Sequence, residues 1–164
     1  MVNLLSSLRI VEVQTEAQLS EVRSLFDEYW RAFAFDPCFQ GFDREIAALP
    51  GDYAAPAGRL AIAVGAGTPE LPVAGCIALR PLSKERCEMK RLYVRDAFRK
   101  RGVGIALIEW LLAQAREIGY AEMYLDTMPA MRRAIAMYER LGFVRCDPYA
   151  NAPTDGALCY RLTL

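Results

Sequence analysis

The stretch that most narrows the fold of this chain runs from Arg86 to Ile118. Arg86 to Val94 alternates as a strand does, which predicts Glu88, Lys90, Leu92 and Val94 on one face and Cys87, Met89, Arg91 and Tyr93 on the other. A basic turn follows, ending in Arg99-Lys100-Arg101. Gly102 to Ile118 then places Val103, Leu107, Trp110, Leu111 and Ile118 at helical spacing, and Gly119 stands where a helix-ending C′ glycine belongs. A strand, a glycine-bearing turn and an apolar-faced helix in immediate succession form one packing unit, and the rest of the chain must be built around it.

Weaker signals supply the remaining elements. Arg9 to Val13 is β-branched and reads as a strand. Thr15 with Gln18 predicts a capping box, opening a helix whose apolar positions are Leu19, Val22, Leu25, Phe26, Tyr29, Trp30 and Phe33 and which Asp36-Pro37 stops. A short helix is expected from Asp43 to Leu49, halted by Pro50-Gly51. Leu60 to Gly65 and Val73 to Arg80 form a predicted hairpin across a Gly/Pro turn. Glu122 to Thr127 is a strand, Pro129 to Leu141 a helix ending at Gly142, and Phe143 to Cys146 and Ala157 to Leu164 are strands joined by the polar loop 147–156. The order β-α-α-β-β-β-α-β-α-β-β implies a mixed α/β fold, a sheet with helices packed on it. With 164 residues and no linker or repeat, one domain over residues 9–164 is expected.

Composition removes several functions. The chain has no histidine, so the commonest general base and zinc ligand are absent, and no metal is expected. Proton transfer falls to Glu, Asp, Tyr, Cys, Lys, the terminus or water. The five cysteines, Cys38, Cys76, Cys87, Cys146 and Cys159, include no Cys-x-x-Cys pair and are odd in number. Reduced, partly buried thiols in a cytoplasmic protein are therefore expected. A net charge of zero at pH 7 argues against a broad nucleic-acid-binding face. Met1 to Leu5 lacks the basic region of a signal peptide, and no apolar run approaches the ~20 residues that span a membrane.

The chemistry concentrates at Arg99 to Ala106. Helix N-termini present unpaired N–H groups with partial positive charge, and glycine lets a ligand approach the backbone closely. Such a turn suits a phosphate or diphosphate. Neither the Walker spacing nor the Gly-x-Gly-x-x-Gly dinucleotide spacing is present. An ordinary strand-to-helix turn is the bland alternative.

Arg99-x-x-Gly102-x-Gly104 resembles the Gln/Arg-x-x-Gly-x-Gly/Ala coenzyme A signature of the GNAT N-acetyltransferase superfamily. Ala134 to Phe143 resembles that family's Ala-x-x-x-Tyr-x-x-x-Gly-Phe element, and the element order is similar from Arg9 to Leu164. The resemblance implies a mixed, mostly antiparallel sheet of about seven strands flanked by about four helices, with acetyl-CoA as the acyl donor. Carried over, the diphosphate would sit on the amides of Arg101, Gly102, Val103, Gly104 and Ile105, with Arg99, Lys100 and Ala106 close by. The pantetheine arm would pair with the backbone of Leu92, Tyr93 and Val94 like an added strand. Tyr138 matches the tyrosine that protonates or hydrogen-bonds the departing thiolate; otherwise it is a packing residue. Glu88 matches the position of a catalytic glutamate in some members, the alternative being a surface carboxylate paired with Lys90, Arg91 or Arg86. Where many relatives have an asparagine before the Ala-x-x-x-Tyr element, this chain has Met131.

The implied reaction is direct acetyl transfer to a primary amine in a ternary complex. A cysteine acyl-enzyme is the rival mechanism, and no cysteine has a neighbouring base to activate it. The acceptor, a small-molecule or peptide amine, is expected to meet Phe35, Asp36, Phe39, Arg80 and Tyr149. A non-catalytic acyl-CoA sensor on the same fold is the alternative function. The resemblance admits a homodimer, for which the sequence offers no interface. Nucleic-acid and membrane partners are not expected.

Overall fold

The computed structural model describes residues 8–33, 41–65, 72–149 and 155–164. Strand β1 (Leu8–Glu12) leads into helix α1 (Glu16–Ala32), opened by the predicted capping box: Thr15 Oγ1 accepts from Gln18 N, and Gln18 Oε1 accepts from Thr15 N. Helix α2 (Phe42–Ala48) precedes β2 (Arg59–Gly65), β3 (Gly75–Pro81) and β4 (Arg86–Val94). Helix α3 (Val103–Ile118), β5 (Glu122–Thr127), α4 (Arg132–Arg140), β6 (Val144–Cys146) and β7 (Leu158–Thr163) complete the chain. The strands form one seven-stranded sheet in the order β1-β2-β3-β4-β5-β7-β6. Every neighbouring pair is antiparallel except β4 and β5.

Each face of the sheet has its own core. Helices α3 and α4 cover one face, where Leu107, Ile108 and Leu111 are fully buried against Ile77, Leu79, Met89 and Met123. Each such aliphatic side chain contributes roughly 1.5–3 kcal/mol by leaving water. Helices α1 and α2 cover the other face with Val22, Leu25, Phe26, Trp30 and Phe42. Phe42 stacks on Trp30 with centroids 4.2 Å apart, so this aromatic closes the core.

Some boundaries and faces depart from the sequence expectation. Strand β3 starts at Gly75, and α4 starts at Arg132. Helix α3 buries Ile108, Leu112 and Ala115 beside the expected Val103, Leu107 and Leu111, whereas Trp110 and Ile118 are only half-buried at the stripe's edge. The larger departure is in β4. Cys76 pairs with Tyr93 but Ala78 pairs with Lys90, so β4 carries one extra residue across this step. Arg91 there adopts φ 59°. Such a bulge reverses the alternation beyond it. Leu92 and Val94 therefore join Cys87 and Met89 on the α3 side, while Tyr93 joins the α1 side. Glu88 does not share a face with Leu92, contrary to the strict alternation.

The outer half of β4 also depends on a close approach from β3. A Cβ added to Gly75 would lie 2.3 Å from Tyr93 O, a backbone atom that cannot swing aside. Gly75→Ala is expected to cost about 1–3 kcal/mol, roughly a 3–10 °C drop in melting temperature at this size. An unchanged melting curve would remove this contact from the account.

Candidate active site

Strands β4 and β5 pair only at Arg86–Glu88 with Glu122–Tyr124. Beyond that point a cleft of about 660 Å³ opens between them. Its walls are Met89 to Val94 of β4 and Leu125 to Met128 at the end of β5, with Met137 and Tyr138 of α4 at its base. At the open end stands the N-terminus of α3, with Lys100, Gly102, Val103, Gly104 and Ile105 facing the cleft.

Local geometry leaves this helix end uncapped by any described side chain. Lys100 and Gly102 have φ of 61° and 77°, left-handed values natural for Gly102 and costly for a lysine. Gly102 is the N-cap and supplies no side-chain acceptor. The first helical bond runs from Ala106 N to Gly102 O at 3.0 Å. The amides of Val103, Gly104 and Ile105 therefore have no acceptor within the helix. Nothing lies within 4 Å of a Cβ built on Gly102, and one on Gly104 would make only ordinary contact with Met137 and Val94. These donors and the surrounding cations fit a diphosphate, and the slot between the strands fits an extended arm.

The expected ligands of the turn divide accordingly. Arg99 lines the cleft but is anchored: its Nε donates to Val94 O at 2.9 Å and its Nη1 meets Asp96 Oδ1 at 2.6 Å. Its guanidinium shapes the turn. Arg101 is exposed and does not line the cleft. Ala106 offers no free N–H, because its amide makes that first helical bond. Leu92, Tyr93 and Val94 line the cleft. Met131 does too, and its Sδ accepts from Thr127 Oγ1 at 3.2 Å.

Tyr138 is 7% exposed, faces the cleft and packs edge-on against Phe143. Burial pushes its phenol well above the ordinary 10.0, with Tyr29 and Asp126 adding to the effect. It is therefore the neutral, proton-bearing phenol at neutral pH.

A second cavity of about 430 Å³ is lined by Glu45, Asp52, Tyr53, Arg80, Glu88 and Tyr149 among others. Arg80 and Tyr149, both expected at the acceptor, are brought together here, while Phe35, Asp36 and Phe39 lie outside the described residues. Glu88 is not a surface carboxylate. It is 2% exposed and accepts from Arg80 Nε at 2.7 Å and Tyr149 Oη at 2.7 Å, with Lys90 Nζ at 3.4 Å. Lys90, Arg91 and Asp126 line both cavities, which meet at these side chains.

Arg91 is pinned where it stands. Its Nε and Nη2 donate to both oxygens of Glu45, which also accepts from the Tyr53 hydroxyl. Burial alone raises the Glu45 carboxyl, but the hydrogen bonds and charge of Arg91, helped by Tyr53 and Lys90, outweigh it and hold the group below its ordinary value. A depressed carboxyl stabilises the fold above its unfolded pKa of ~4.3 and loses that contribution as pH falls through the folded value. Glu45→Gln is expected to cost roughly 3 kcal/mol at neutral pH. Urea titrations should show the gap from wild type closing below about pH 4; a gap constant with pH would reject the pairing.

Burial pushes the thiols of Cys76 and Cys87 up to about 12, and raises that of Cys159 as well. None of these three is a thiolate at neutral pH, which disfavours a covalent route through them; Cys38 lies outside the described residues. Among the described residues no group of His, Cys, Asp or Glu is arranged to hold a metal ion, and no helix is long and apolar enough to cross a membrane.

Residues 20–143 match the acetyltransferase (GNAT) family. The chain belongs to the GNAT acetyltransferases. An uncharacterized N-acetyltransferase of Schizosaccharomyces pombe is 31% identical over 160 residues, which cover 97% of this chain and 96% of the relative. The fold is shared with an acetyltransferase from Streptococcus agalactiae, with a TM-score of 0.80 at 20% identity over 96% of this chain and 99% of that one. A GNAT-family acetyltransferase from Staphylococcus aureus has a TM-score of 0.80 at 16% identity, again over 96% and 99%.

Within this GNAT frame the sequence reasoning missed Asp126, Glu45 and the roles of Lys90 and Arg91. Asp126 carried a faint signal, an acid alternating with Tyr124 on a predicted strand. Nothing local marks Arg91 as the bulge.

Proposed function

We propose that this GNAT protein is an acetyl-CoA-dependent N-acetyltransferase that moves the acetyl group directly to a primary amine bound beside the donor. The observation that carries this is the coincidence of two features: helix amides at Val103 to Ile105 with no acceptor among the described residues, and a slot between the ends of β4 and β5, which no longer pair with each other, leading from them to Tyr138. Acetyl-CoA supplies an electrophilic thioester carbonyl and a thiol leaving group.

The chain's own residues do the rest. The amides of Gly102 to Ile105 hold diphosphate oxygens, with Lys100 beside them. The backbone of Leu92 to Val94 aligns the arm. Tyr138, kept protonated by burial, donates a hydrogen bond where the sulfur's charge develops. A positioned amine gains most of its rate from proximity. The ammonium must also lose a proton. Glu88 already accepts from Arg80 and Tyr149, so it organises the pocket, and Asp126, open to both cavities, takes the proton. A thiol-release assay with an amine panel, run beside calorimetry of coenzyme A binding, tests this. Tight binding with no turnover of any amine would favour the sensor alternative.

A further inference from the structure

The charges lining the second cavity are unequally available. Lys90 and Arg91 are buried, at 8% exposure each, and are held by carboxylates: Lys90 by Glu88 and Asp126, Arg91 by Glu45. Arg80 differs. Its side chain is 35% exposed, and its Nε is bound to Glu88 Oε2 at 2.7 Å. Its two terminal nitrogens make no hydrogen bond to any described residue. Glu88, itself fastened by Tyr149 and Lys90, thus holds the guanidinium through Nε, while Arg80 lines the cavity with both terminal nitrogens unbonded to any described residue.

Asp126 marks the opposite end. Its side chain is 20% exposed, and it opens onto both cavities. Arg80 pairs with Glu88 and Ala78 with Lys90, so the Lys90–Asp126 pair stands about 7 Å along β4 from Arg80. A ligand spanning this cavity meets a cationic fork at one end and a carboxylate at the other. A guanidinium fork matches a carboxylate with two parallel bonds. A plain alkylamine would leave it unmatched, and sites built around buried polar groups discriminate strongly against such analogues.

We infer that the acetyl acceptor is a small carboxylate-bearing amine. Its carboxylate pairs with the terminal nitrogens of Arg80, and its amine faces Asp126 at the junction with the donor cleft. The inference rests on the N-acetyltransferase reading of the same site. The balance is simple: an amide C–N bond replaces the thioester C–S bond, and the ammonium loses two protons overall. One ends on the released thiol, and the other passes through Asp126 to water.

The test is thiol release with saturating acetyl-CoA, using glycine, β-alanine and γ-aminobutyrate against alkylamines of matching length. At the best length, kcat/KM for the amino acid should exceed that of the alkylamine by roughly tenfold or more. Arg80→Gln should bring that ratio close to one, and Arg80→Lys, which keeps the charge, should restore part of it. Calorimetry of coenzyme A binding reports that each variant is folded. Equal or faster alkylamine turnover, an unaltered ratio in Arg80→Gln, or no acetylation of any amino acid by protein that binds coenzyme A would each overturn the inference. Failure of wild type to bind coenzyme A, or binding with no turnover of any amine, alkylamines included, would instead sink the functional reading beneath it.

Discussion

Gly102→Glu should abolish measurable coenzyme A binding in protein that remains folded. Position 102 has φ 77° and open space where a Cβ would go, so a side chain projects over the helix end without striking the core. The strain of a non-glycine residue there is of order 1–2 kcal/mol, tolerable for a domain of this size. The ligand is affected far more. A carboxylate would stand among the amides of Val103 to Ile105 and repel the diphosphate those amides hold. Losing two or three charge-assisted hydrogen bonds at roughly 1.5–3 kcal/mol each implies an affinity loss above about a hundredfold. Gly102→Ala separates the effects, since it carries the strain without the charge and should weaken binding only modestly. Calorimetry decides the matter: wild-type affinity in folded Gly102→Glu would exclude this turn as the diphosphate site.

Tyr138→Phe should lower kcat ten- to hundredfold while coenzyme A affinity holds within a few-fold. The hydroxyl faces the cleft, and no described residue accepts from or donates to it. Its removal leaves the ring's packing on Phe143 intact. A hydrogen bond to a charged atom contributes about 1.5–3 kcal/mol, and each 1.36 kcal/mol is tenfold in rate. Because burial raises the phenol's pKa, wild-type activity should show no loss from Tyr138 ionisation up to about pH 10. The measurement is single-turnover transfer, which isolates the chemical step from product release. A wild-type single-turnover rate in the phenylalanine variant would remove the role.

How much of this site could be read in advance depended on how local each feature is. The signature turn was legible because Arg99, Gly102 and Gly104 are neighbours in the chain and the helix they open has a strong period. Even there, the division of labour was not: Arg99 bonds Val94 O, and the Ala106 amide bonds Gly102 O. Both facts follow from the three-dimensional turn. Glu88 was marked by the family resemblance, with a surface ion pair as its alternative, but its burial was not legible, because Tyr149 is 61 residues away and reaches it only through folding. Asp126 went unnoticed since nothing in its strand indicates that β5 parts from β4 just before it.

The amino-acid sequence by itself determined the element order, the capping of α1, the glycine-opened start of α3 and the absence of any imidazole from the chemistry. These follow from propensity, periodicity and composition, which act within contiguous residues. Only the tertiary structure decided which face of β4 each side chain occupies, because the bulge at Arg91 is a mismatch in register with β3. It alone also brought Arg80, Glu88, Lys90 and Asp126 into contact, since opposite charges from separate strands find one another only once the sheet is assembled.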